Sequence, residues 1–379
     1  MMSMKHKKLP MVDDLDNKYC QEDQAAVQSE DAANTNWVTG RVETAVGPVY
    51  RVSTKLDQKD LLGSFKARCG LDRMNYTIPP GLYAIGDPHS SSPILVSANY
   101  KLSFDYLRRE LTGLNLWILV LDTNGINVWC AAGKGSFGTA EIVRMVSVTR
   151  LSEIVSHRTL ILPQLAAPGV AAHKVRSQSR FNVVYGPIRA EDIPAFLKNA
   201  NKAAPEMRHP YFTLRDRLIL TPVELTAMVK PIIVLTMLFF LLNLASSLVG
   251  SNQLLLPSLI DQTFFDLAPY LAAMFVGIIM VPALLPYIPG RSFAWKGWLL
   301  GILWAFIYTF LITSQQGWLA PAAYFLTIPA ITAFLGLNFT GSTTYTSLSG
   351  VVKEMGIALP LIIGSAGLGV IALIAKYFI

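Results

Sequence analysis

The charged residues of this chain are confined almost entirely to its first 230 positions, and this asymmetry limits what the chain can fold into. Only seven Asp, Glu, Lys or Arg residues follow Lys230, and the whole chain is 52% hydrophobic and 15% charged. A soluble globular chain carries about 25% charged residues. The sequence therefore combines a polar part with a part that lies in a membrane, and it excludes a disordered, collagen-like or disulfide-stapled protein.

Five apolar stretches in the second part approach the roughly 20 residues that span a bilayer. They are residues 227–249, 267–286, 297–313, 318–337 and 356–375. Asp261 and Asp266 are predicted to lie in a loop between the first two stretches. Because no charged residue is then expected near the centre of a span, an anchoring role is favoured over ion-coupled transport. We predict an all-α membrane domain of five transmembrane helices over 223–379.

The basic residues of the connecting segments predict the orientation. Lys and Arg favour the cytoplasmic side of a membrane. They occur in a basic juxtamembrane linker at 206–222, between the second and third stretches, and between the fourth and fifth, and only Lys376 departs from the pattern. We therefore predict a multi-pass protein of the cytoplasmic (inner) membrane, with the N-terminus and the polar domain in the cytoplasm and the C-terminus outside.

The first 77 residues divide into two segments. Residues 1–36 are polar and poor in large apolar side chains, which predicts a disordered N-terminal extension without a secretory leader. Residues 37–77 are an uncertain extension. They contain the strand-like run VYRVST (49–54) and a possible amphipathic helix with Leu61, Leu62 and Phe65 on one side.

Residues 78–205 alternate between strand and helix patterns. The predicted strands are 93–98, 116–122, 126–132, 160–165 and 181–186, and the predicted helices are 103–111, 139–148 and 193–200. Alternation of this kind is typical of a mostly parallel sheet covered by helices. We therefore predict a Rossmann-like α/β domain that faces the cytoplasm and is followed by the membrane domain.

The segment from Asn127 to Gly138 carries the most chemical information. It is predicted to be a strand end that leads into a glycine-rich turn and then into a helix beginning near Thr139. Cys130 would lie near the positive end of that helix and near Lys134, and both favour a thiolate. A thiolate is a nucleophile or a ligand for a soft metal. The alternative is a buried core cysteine in a tight strand–helix corner.

A dinucleotide site is a second reading of the same segment. Gly133 to Gly138 fits GxGxxG, but the next predicted strand ends without the acidic residue that such a site requires. A membrane transporter with a nucleotide-binding cytoplasmic domain therefore stays open as an alternative function. The three cysteines, Cys20, Cys69 and Cys130, are fewer than the four that an iron–sulfur cluster needs.

The run NVWCAAGKGSFGT (127–139) resembles the signature of the HgcA family of mercury-methylating corrinoid proteins. The segments PGLYAIGDP (80–88), SANYKLSFDYLRREL (97–111), HRTLILPQLAAPGVAAHKV (157–175), VVYGPIRAEDIP (183–194) and NFTGSTTYTSLSGVVKEMG (338–356) resemble it as well. The likeness covers about 78–379. The chain is more distantly similar to the large subunit of the corrinoid iron–sulfur protein of acetyl-CoA synthesis. That relative carries a cluster-binding cysteine motif and has threonine where this chain has Cys130.

The resemblance implies a base-off, cobalamin-type corrinoid with Cys130 as the lower axial ligand to cobalt. It implies methyl transfer from cobalt to Hg(II), which produces methylmercury. It further implies re-reduction by HgcB, a ferredoxin-like partner with two 4Fe–4S clusters, and remethylation by a methyltetrahydrofolate-type donor system. Membrane lipid is an expected contact and nucleic acid is not. A corrinoid methyl carrier with another acceptor remains an alternative.

The other candidate residues follow from the same resemblance and from the predicted loops. The expected cap against the corrin face is Asn127, Val128, Trp129, Ala131, Ala132, Gly133 and Lys134. Ser103, Gln164, Gly169 and Gly186 are candidate cofactor contacts, because α/β domains bind ligands on loops that follow strands. Ser103 has an equal reading as a helix N-cap. Loop 340–350 is expected to dock the corrinoid domain against the membrane.

Overall fold

A computed structural model of the protein describes residues 35–249, 256–312, 317–340 and 348–378. The chain forms two compact units: the first ends at His209 and the second begins at Pro210, with Arg68–Gly70 belonging to the second. Nearly all of the predicted extension 1–36, with Cys20, and most of loop 340–350 lie outside the described residues.

The first unit is built on a seven-stranded sheet. Its strands are β1 (Val38–Thr44), β2 (Gly47–Val52), β3 (Gly81–Ile85), β4 (Ile94–Ala98), β5 (Leu116–Leu121), β6 (Thr159–Leu162) and β7 (Asn182–Tyr185). They lie in the order β1-β2-β3-β5-β4-β6-β7. The β1–β2 and β3–β5 pairs are antiparallel and the other four pairs are parallel. The predicted mostly parallel sheet is confirmed.

Helices cover both faces of this sheet. They are α1 (Gln58–Arg68), α2 (Lys101–Glu110), α3 (Val128–Lys134), α4 (Thr139–Val148), α5 (Leu151–Ile154), α6 (Ala172–Ser179) and α7 (Ile193–Lys198). Every residue of β3, β4 and β5 is buried, as expected for strands that are covered on two sides. Helices α4 and α6 contribute to one hydrophobic core, and α2 and α7 contribute to the other.

The connections create a topological switch between β4 and β6. The chain leaves β4 through α2 to reach β5 on one side, and it then crosses through α4 to β6 on the other side of β4. Ligands of such doubly wound sheets bind at the carboxyl ends of the strands where the winding direction reverses. The fold thus directs attention to the loops that follow β4, β5 and β6.

One predicted strand is wrong. Residues 126–132 are not a strand, because Val128–Lys134 forms the short helix α3. The predicted strand 160–165 ends earlier, at Leu162, and a 3₁₀ turn over Gln164–Gly169 follows it. The predicted helix 139–148 is confirmed with the same ends. The run 49–54 contributes most of β2, which pairs with β3 and so extends the sheet beyond residue 78.

A buried network of ion pairs joins α1 to α2. Asp60 accepts hydrogen bonds from Lys101 Nζ and Arg108 Nη2, both at 2.6 Å. Asp105 accepts from the same two cations at 2.7 and 2.8 Å. The Arg108 side chain is 0% exposed. Two acids and two bases balance each other, so each charge that is removed from water has a close opposite charge.

The second unit is helical. After α8 (Leu214–Leu218) and α9 (Thr221–Ala227) come α10 (Val229–Val249), α11 (Leu256–Leu284), α12 (Phe293–Phe310), α13 (Leu319–Thr340) and α14 (Leu348–Phe378). The last five are long and apolar enough to cross a membrane. Helices α12 and α13 approach closely, since a Cβ on Gly297 would lie 2.3 Å from the Thr332 carbonyl oxygen. Small residues at such a contact are typical of helices packed in a membrane.

The predicted loop position of Asp261 and Asp266 is wrong, because both lie within α11. Asp266 is 9% exposed. It accepts hydrogen bonds from Asn243 at 3.1 Å, from Lys376 at 3.0 Å and from Tyr377 at 2.5 Å. A candidate span therefore does hold a charged residue, and its partner is the same Lys376 that departed from the pattern of basic loops. The carboxylate is paired with a cation, as charges inside membranes usually are.

Candidate functional site at the carboxyl edge of the sheet

Asn99 organises the loops at the carboxyl edge of the sheet. It follows β4 directly and is 6% exposed. Its side-chain oxygen accepts hydrogen bonds from Thr123 N, Thr123 Oγ1 and Gly125 N at 2.8–3.1 Å. Its amide nitrogen donates to Asp122 Oδ1 at 3.1 Å. The turn after β5, which leads to α3, is thus tied to the loop after β4. Sequence reasoning missed this residue, although a polar side chain directly after a buried strand was a usable signal.

Helix α3 is held by caps at both ends. The Asn127 side-chain oxygen accepts the backbone N–H of Cys130 at 2.9 Å and so satisfies a free donor of the first turn. At the other end Gly135 has φ 86°, a left-handed conformation that costs glycine little. The Phe137 N–H then bonds to the Ala131 carbonyl at 3.1 Å. These caps explain why a seven-residue helix forms where apolar alternation had predicted a strand.

The two faces of α3 differ sharply. Ala131 and Ala132 are buried in the core beside the sheet. Cys130 is half-buried and is a free cysteine, while Gly133 and Lys134 are exposed. Residues three and four apart share a helix face, so the thiol, the glycine and the lysine look out from the same side. A Cβ on Gly133 would meet nothing within 4 Å, which leaves open space beside Cys130.

Gly169 packs directly against α3. A Cβ at this position would lie 2.5 Å from the Phe137 carbonyl oxygen and 2.8 Å from that of Ala132. Both are backbone atoms, so only glycine allows the turn Gln164–Gly169 to approach α3 this closely. The structure therefore brings Gly169 to the predicted site as a residue that positions the helix of Cys130.

The remaining predicted residues lie around the same edge. Gln164 accepts a hydrogen bond from Arg208 at 2.7 Å. Gly186 continues the ladder of β7 with its N–H on the Leu162 carbonyl at 2.8 Å, and its Cα faces Ile161 and Phe196. Ser103 lies half-buried in the first turn of α2. Its reading as an N-cap is wrong, because the N-cap is Tyr100. Val128 and Trp129, in the first turn of α3, are half-buried.

The glycine-rich segment lacks the setting of a dinucleotide site. Such a motif follows a strand directly and opens a helix. Here α3 comes between β5 and the segment, and Gly133 is part of α3. Only Gly138 adjoins the next helix, as the N-cap of α4. The position of Cys130 also differs from the prediction, since it lies in the first turn of its own helix and not before the helix that begins at Thr139.

A cavity of 420 Å³ lies at the opposite, amino edge of the sheet. Its lining includes His157, Ser91, Ser156 and Asn201. The His157 ring is fixed by the Ser92 carbonyl at Nε2, 2.8 Å away, and by the Thr159 N–H at Nδ1, 3.2 Å away. Both ring nitrogens are therefore engaged in structure, and none of the predicted site residues lines this cavity.

Comparison with known proteins finds similarity in the first unit. Residues 70–197 match the family described as CO dehydrogenase/acetyl-CoA synthase delta subunit. The acetyl-CoA decarbonylase/synthase complex subunit gamma of Archaeoglobus fulgidus is 25% identical over 184 residues, which are 45% of this chain and 38% of that protein. The subunit gamma of Methanopyrus kandleri is 31% identical over 123 residues, 32% of this chain and 26% of that protein.

These matches confirm the more distant of the two resemblances, the one to the acetyl-CoA pathway. The chain spans between 26% and 38% of the length of the two relatives, and the matched family segment ends at residue 197, before the five candidate spans begin. The likeness therefore concerns the α/β unit, whose carboxyl edge carries Cys130.

Proposed function

We propose that the α/β unit binds a cobalamin-type, base-off corrinoid and that Cys130 is the lower axial ligand to its cobalt. The observation that carries the proposal is the outward face of α3, where a half-buried thiol adjoins the open space beside Gly133. The similarity to subunits of acetyl-CoA decarbonylase/synthase complexes supports a methyl-carrying role. The position at the topological switch is one where α/β units bind ligands.

The residues present fit such a group. A corrin ring supplies its own equatorial nitrogen ligands, so the protein needs to provide only one axial donor. No cluster of three His, Cys, Asp or Glu side chains that could hold a metal by itself occurs among the described residues. A thiolate is a suitable donor for a soft, electron-rich metal centre. The glycine at 133 leaves room for a large flat molecule beside that donor.

Each chain segment has a distinct task in this proposal. Asn127 keeps α3 wound and thereby fixes the direction of the Cys130 side chain. Gly169 seats α3 on the neighbouring turn. The proposed contacts of the corrinoid are Ser103, Asn127, Val128, Trp129, Gly133, Lys134, Gln164 and Gly186. Ala131 and Ala132, which were predicted as part of the cap, pack in the core on the other face of α3. Lys134 is exposed one turn after Cys130 and adds a positive charge to the same face of α3.

We further propose that the methyl acceptor is Hg(II) and that the protein is a corrinoid-dependent mercury methyltransferase. When bound, the corrinoid would supply the methyl group, and Cys130 would hold the cofactor through an electron-donating thiolate, the kind of donor that cysteinate provides in some haem enzymes. The motif NVWCAAGKGSFGT supports this acceptor.

The proposed partners are those that the resemblance implies. Three cysteines are too few for an iron–sulfur cluster, which supports an external electron donor, the ferredoxin-like protein HgcB. A methyltetrahydrofolate-type system is the proposed source of the methyl group. The proposed boundaries are 78–205 for the corrinoid-binding domain and 223–379 for the membrane domain.

Contacts within the second unit support the proposed orientation. Arg217, in the juxtamembrane linker, donates to the Pro282 and Ala283 carbonyls at 2.8 and 2.7 Å. Lys296 donates to the Leu285 carbonyl at 2.6 Å. Both cations thus gather at the C-terminal end of α11, where they also complement the helix dipole. Basic residues that share one end of the spans favour placing that end in the cytoplasm.

The test is methylmercury formation by the full chain loaded with methylated corrinoid and given a Hg(II)–thiolate. We expect Cys130→Ala to lower the rate by more than about 100-fold, an effect of roughly 3 kcal/mol on the barrier. Cys130→Thr is expected to keep the corrinoid but transfer poorly. Cys69→Ser, which removes a half-buried cysteine outside the site, is the control and should leave the rate unchanged.

Two results would each contradict a different part of the proposal. A protein that binds methylated corrinoid with Cys130 intact but leaves Hg(II) unmethylated would be a carrier with another acceptor. A protein that retains a nucleotide and no corrinoid would be the transporter alternative, against which the interposed helix α3 already argues.

A further inference from the structure

Helix α1 buries small and charged residues, whereas a typical amphipathic helix buries its large apolar residues. Its inner face consists of Asp60, 2% exposed, Ala67, 1% exposed, and Gly63. A Cβ on Gly63 would lie 2.6 Å from the Tyr76 ring, so the helix sits directly on that ring. Ion pairs from Asp60 to Lys101 and Arg108 hold the helix in place. Its attachment to the unit therefore uses charge and close backbone approach, and not its large apolar residues.

Those large apolar residues point outwards. Leu61, Leu62 and Phe65 are 57%, 54% and 61% exposed. Leu71 and Met74, in the turns that follow, are 57% and 63% exposed. We call these five side chains the α1 apolar face. Leu61 and Phe65 are four residues apart and share one side of the helix. Large apolar side chains that are exposed together in this way mark an interaction surface.

Charged residues flank the α1 apolar face. Lys59 and Lys66 are exposed on the same helix, and Lys55 is exposed just before it. The acidic residues nearby are Asp57 and Asp72. Asp57 is occupied in capping, since it accepts hydrogen bonds from Asn36 and from the Asp60 N–H. Lysines beside an apolar helix face are the pattern of helices that lie in the interface of a bilayer with anionic lipids.

A short segment at the end of α1 is grouped with the second unit. Arg68–Gly70 belongs to that unit, where Thr226 Oγ1 donates to the Cys69 carbonyl at 2.6 Å. Thr226 lies only one turn before Val229, the first residue of candidate span α10.

We propose that the α1 apolar face lies in the headgroup region of the bilayer, with Lys59 and Lys66 paired to anionic lipid. The occupant of this face is thus lipid and not a protein partner. Because the spans hold the chain at the membrane, the lipid surface is always present at a high effective concentration. The contact would fix the α/β unit at the membrane surface through α1. The inference does not depend on the proposed corrinoid chemistry.

A spin label on the full chain tests this directly. The background is Cys20→Ser, Cys69→Ser and Cys130→Ala, which leaves one labelled site, Leu61→Cys. Reconstitution is in nanodiscs of phosphatidylcholine with anionic phosphatidylglycerol. Collision rates with oxygen, enriched in hydrocarbon, and with a water-soluble nickel chelate report the depth of the label. Lys174→Cys, exposed on α6, is the control.

We expect oxygen collisions to exceed nickel collisions at position 61 and the reverse at position 174. Equal behaviour of the two labels would overturn the proposal, because the face would then be in water. A label at position 61 that is shielded from both reagents would also overturn it, because the face would then be covered by protein.

Two further variants separate the apolar and charged contributions. Leu62→Ser with Phe65→Ser should return the label at position 61 to water in any lipid. Lys59→Glu with Lys66→Glu should do so only where anionic lipid is present. No dependence on either pair of substitutions would contradict a lipid contact made by this face.

Discussion

The two edges of the sheet in the α/β unit are organised differently. At the amino edge lies a cavity of 420 Å³ whose histidine already uses both ring nitrogens in structural hydrogen bonds. At the carboxyl edge there is an open face on which a half-buried thiol is held by a capped helix. The difference teaches that enclosed volume alone does not identify a site. A reactive side chain held by a fixed backbone is the better guide.

The carboxyl edge depends on the position of α2, and the largest expected effect comes from removing its buried cation. Arg108→Met leaves Asp60 and Asp105 without one of their partners, and breaking a buried pair in this way costs about 3–5 kcal/mol. The free energy of opening, from amide hydrogen exchange in β4 and β5, measures it. The control is Arg109→Met, whose side chain is 44% exposed and pairs with Glu110. We expect that control to change the free energy by less than about 0.5 kcal/mol.

The same network predicts the direction of an acid effect. Burial by itself would raise the pKa of Asp60, but hydrogen bonds and the charges of Lys101 and Arg108 hold it below the ordinary value of 3.8. A carboxyl with a lowered pKa stabilises the fold fully above its ordinary pKa and loses that contribution as the pH falls through the lowered one. Exchange protection in β4 and β5 should therefore fall with acid below pH 3.8, and less so in Asp60→Asn.

Two glycine substitutions at the carboxyl edge separate an effect on stability from an effect on corrinoid binding. Gly169→Ala places a Cβ 2.5 Å from the Phe137 carbonyl oxygen, so α3 must shift, and we expect a loss of about 1–3 kcal/mol. Gly133→Ala meets nothing within 4 Å and should stabilise the helix by about 0.5–1 kcal/mol. Thermal melting and corrinoid titration separate the two effects. If Gly133→Ala bound corrinoid as tightly as the unchanged chain, the corrinoid would not occupy the open space beside Gly133.

The smallest effect on corrinoid binding and methyl transfer is expected from a substitution at the amino edge. His157→Ala removes hydrogen bonds to Ser92 and Thr159 and should cost about 1 kcal/mol of stability. Corrinoid affinity and the rate of methyl transfer should stay within about twofold, a difference below 0.5 kcal/mol. A large loss of corrinoid affinity in a variant with an intact fold would show that the site lies at the amino edge and not at the carboxyl edge.

Sequence periodicity predicted the elements that bury continuous or alternating apolar residues. The predicted helix at 139–148 and the strands ending near Ala98 and Leu121 follow from such patterns and are confirmed. Helix α3 was missed because Ile126 and Val128 alternate with polar residues as in a strand, while the decisive contact is a local cap from Asn127. An asparagine three residues before Cys130 was the available signal.

Contacts between distant residues escaped prediction altogether. Asp60 meets Arg108 across 48 positions, and Asp266 meets Lys376 across 110. A single sequence gives no sign that such charges neutralise each other, which is why Asp266 was expected in a loop. The candidate thiol was predictable because its motif is local. Its exposure, and the role of Gly169 in seating its helix, required the fold.

The central claim is that the sulfur of Cys130 binds cobalt, and cobalt K-edge X-ray absorption of the corrinoid-loaded full chain tests it most directly. The unchanged chain should show one sulfur neighbour of cobalt, which Cys130→Ala loses while it keeps the fold and the corrinoid. Cys69→Ser should retain it. A spectrum of the unchanged chain without sulfur at cobalt would contradict the account.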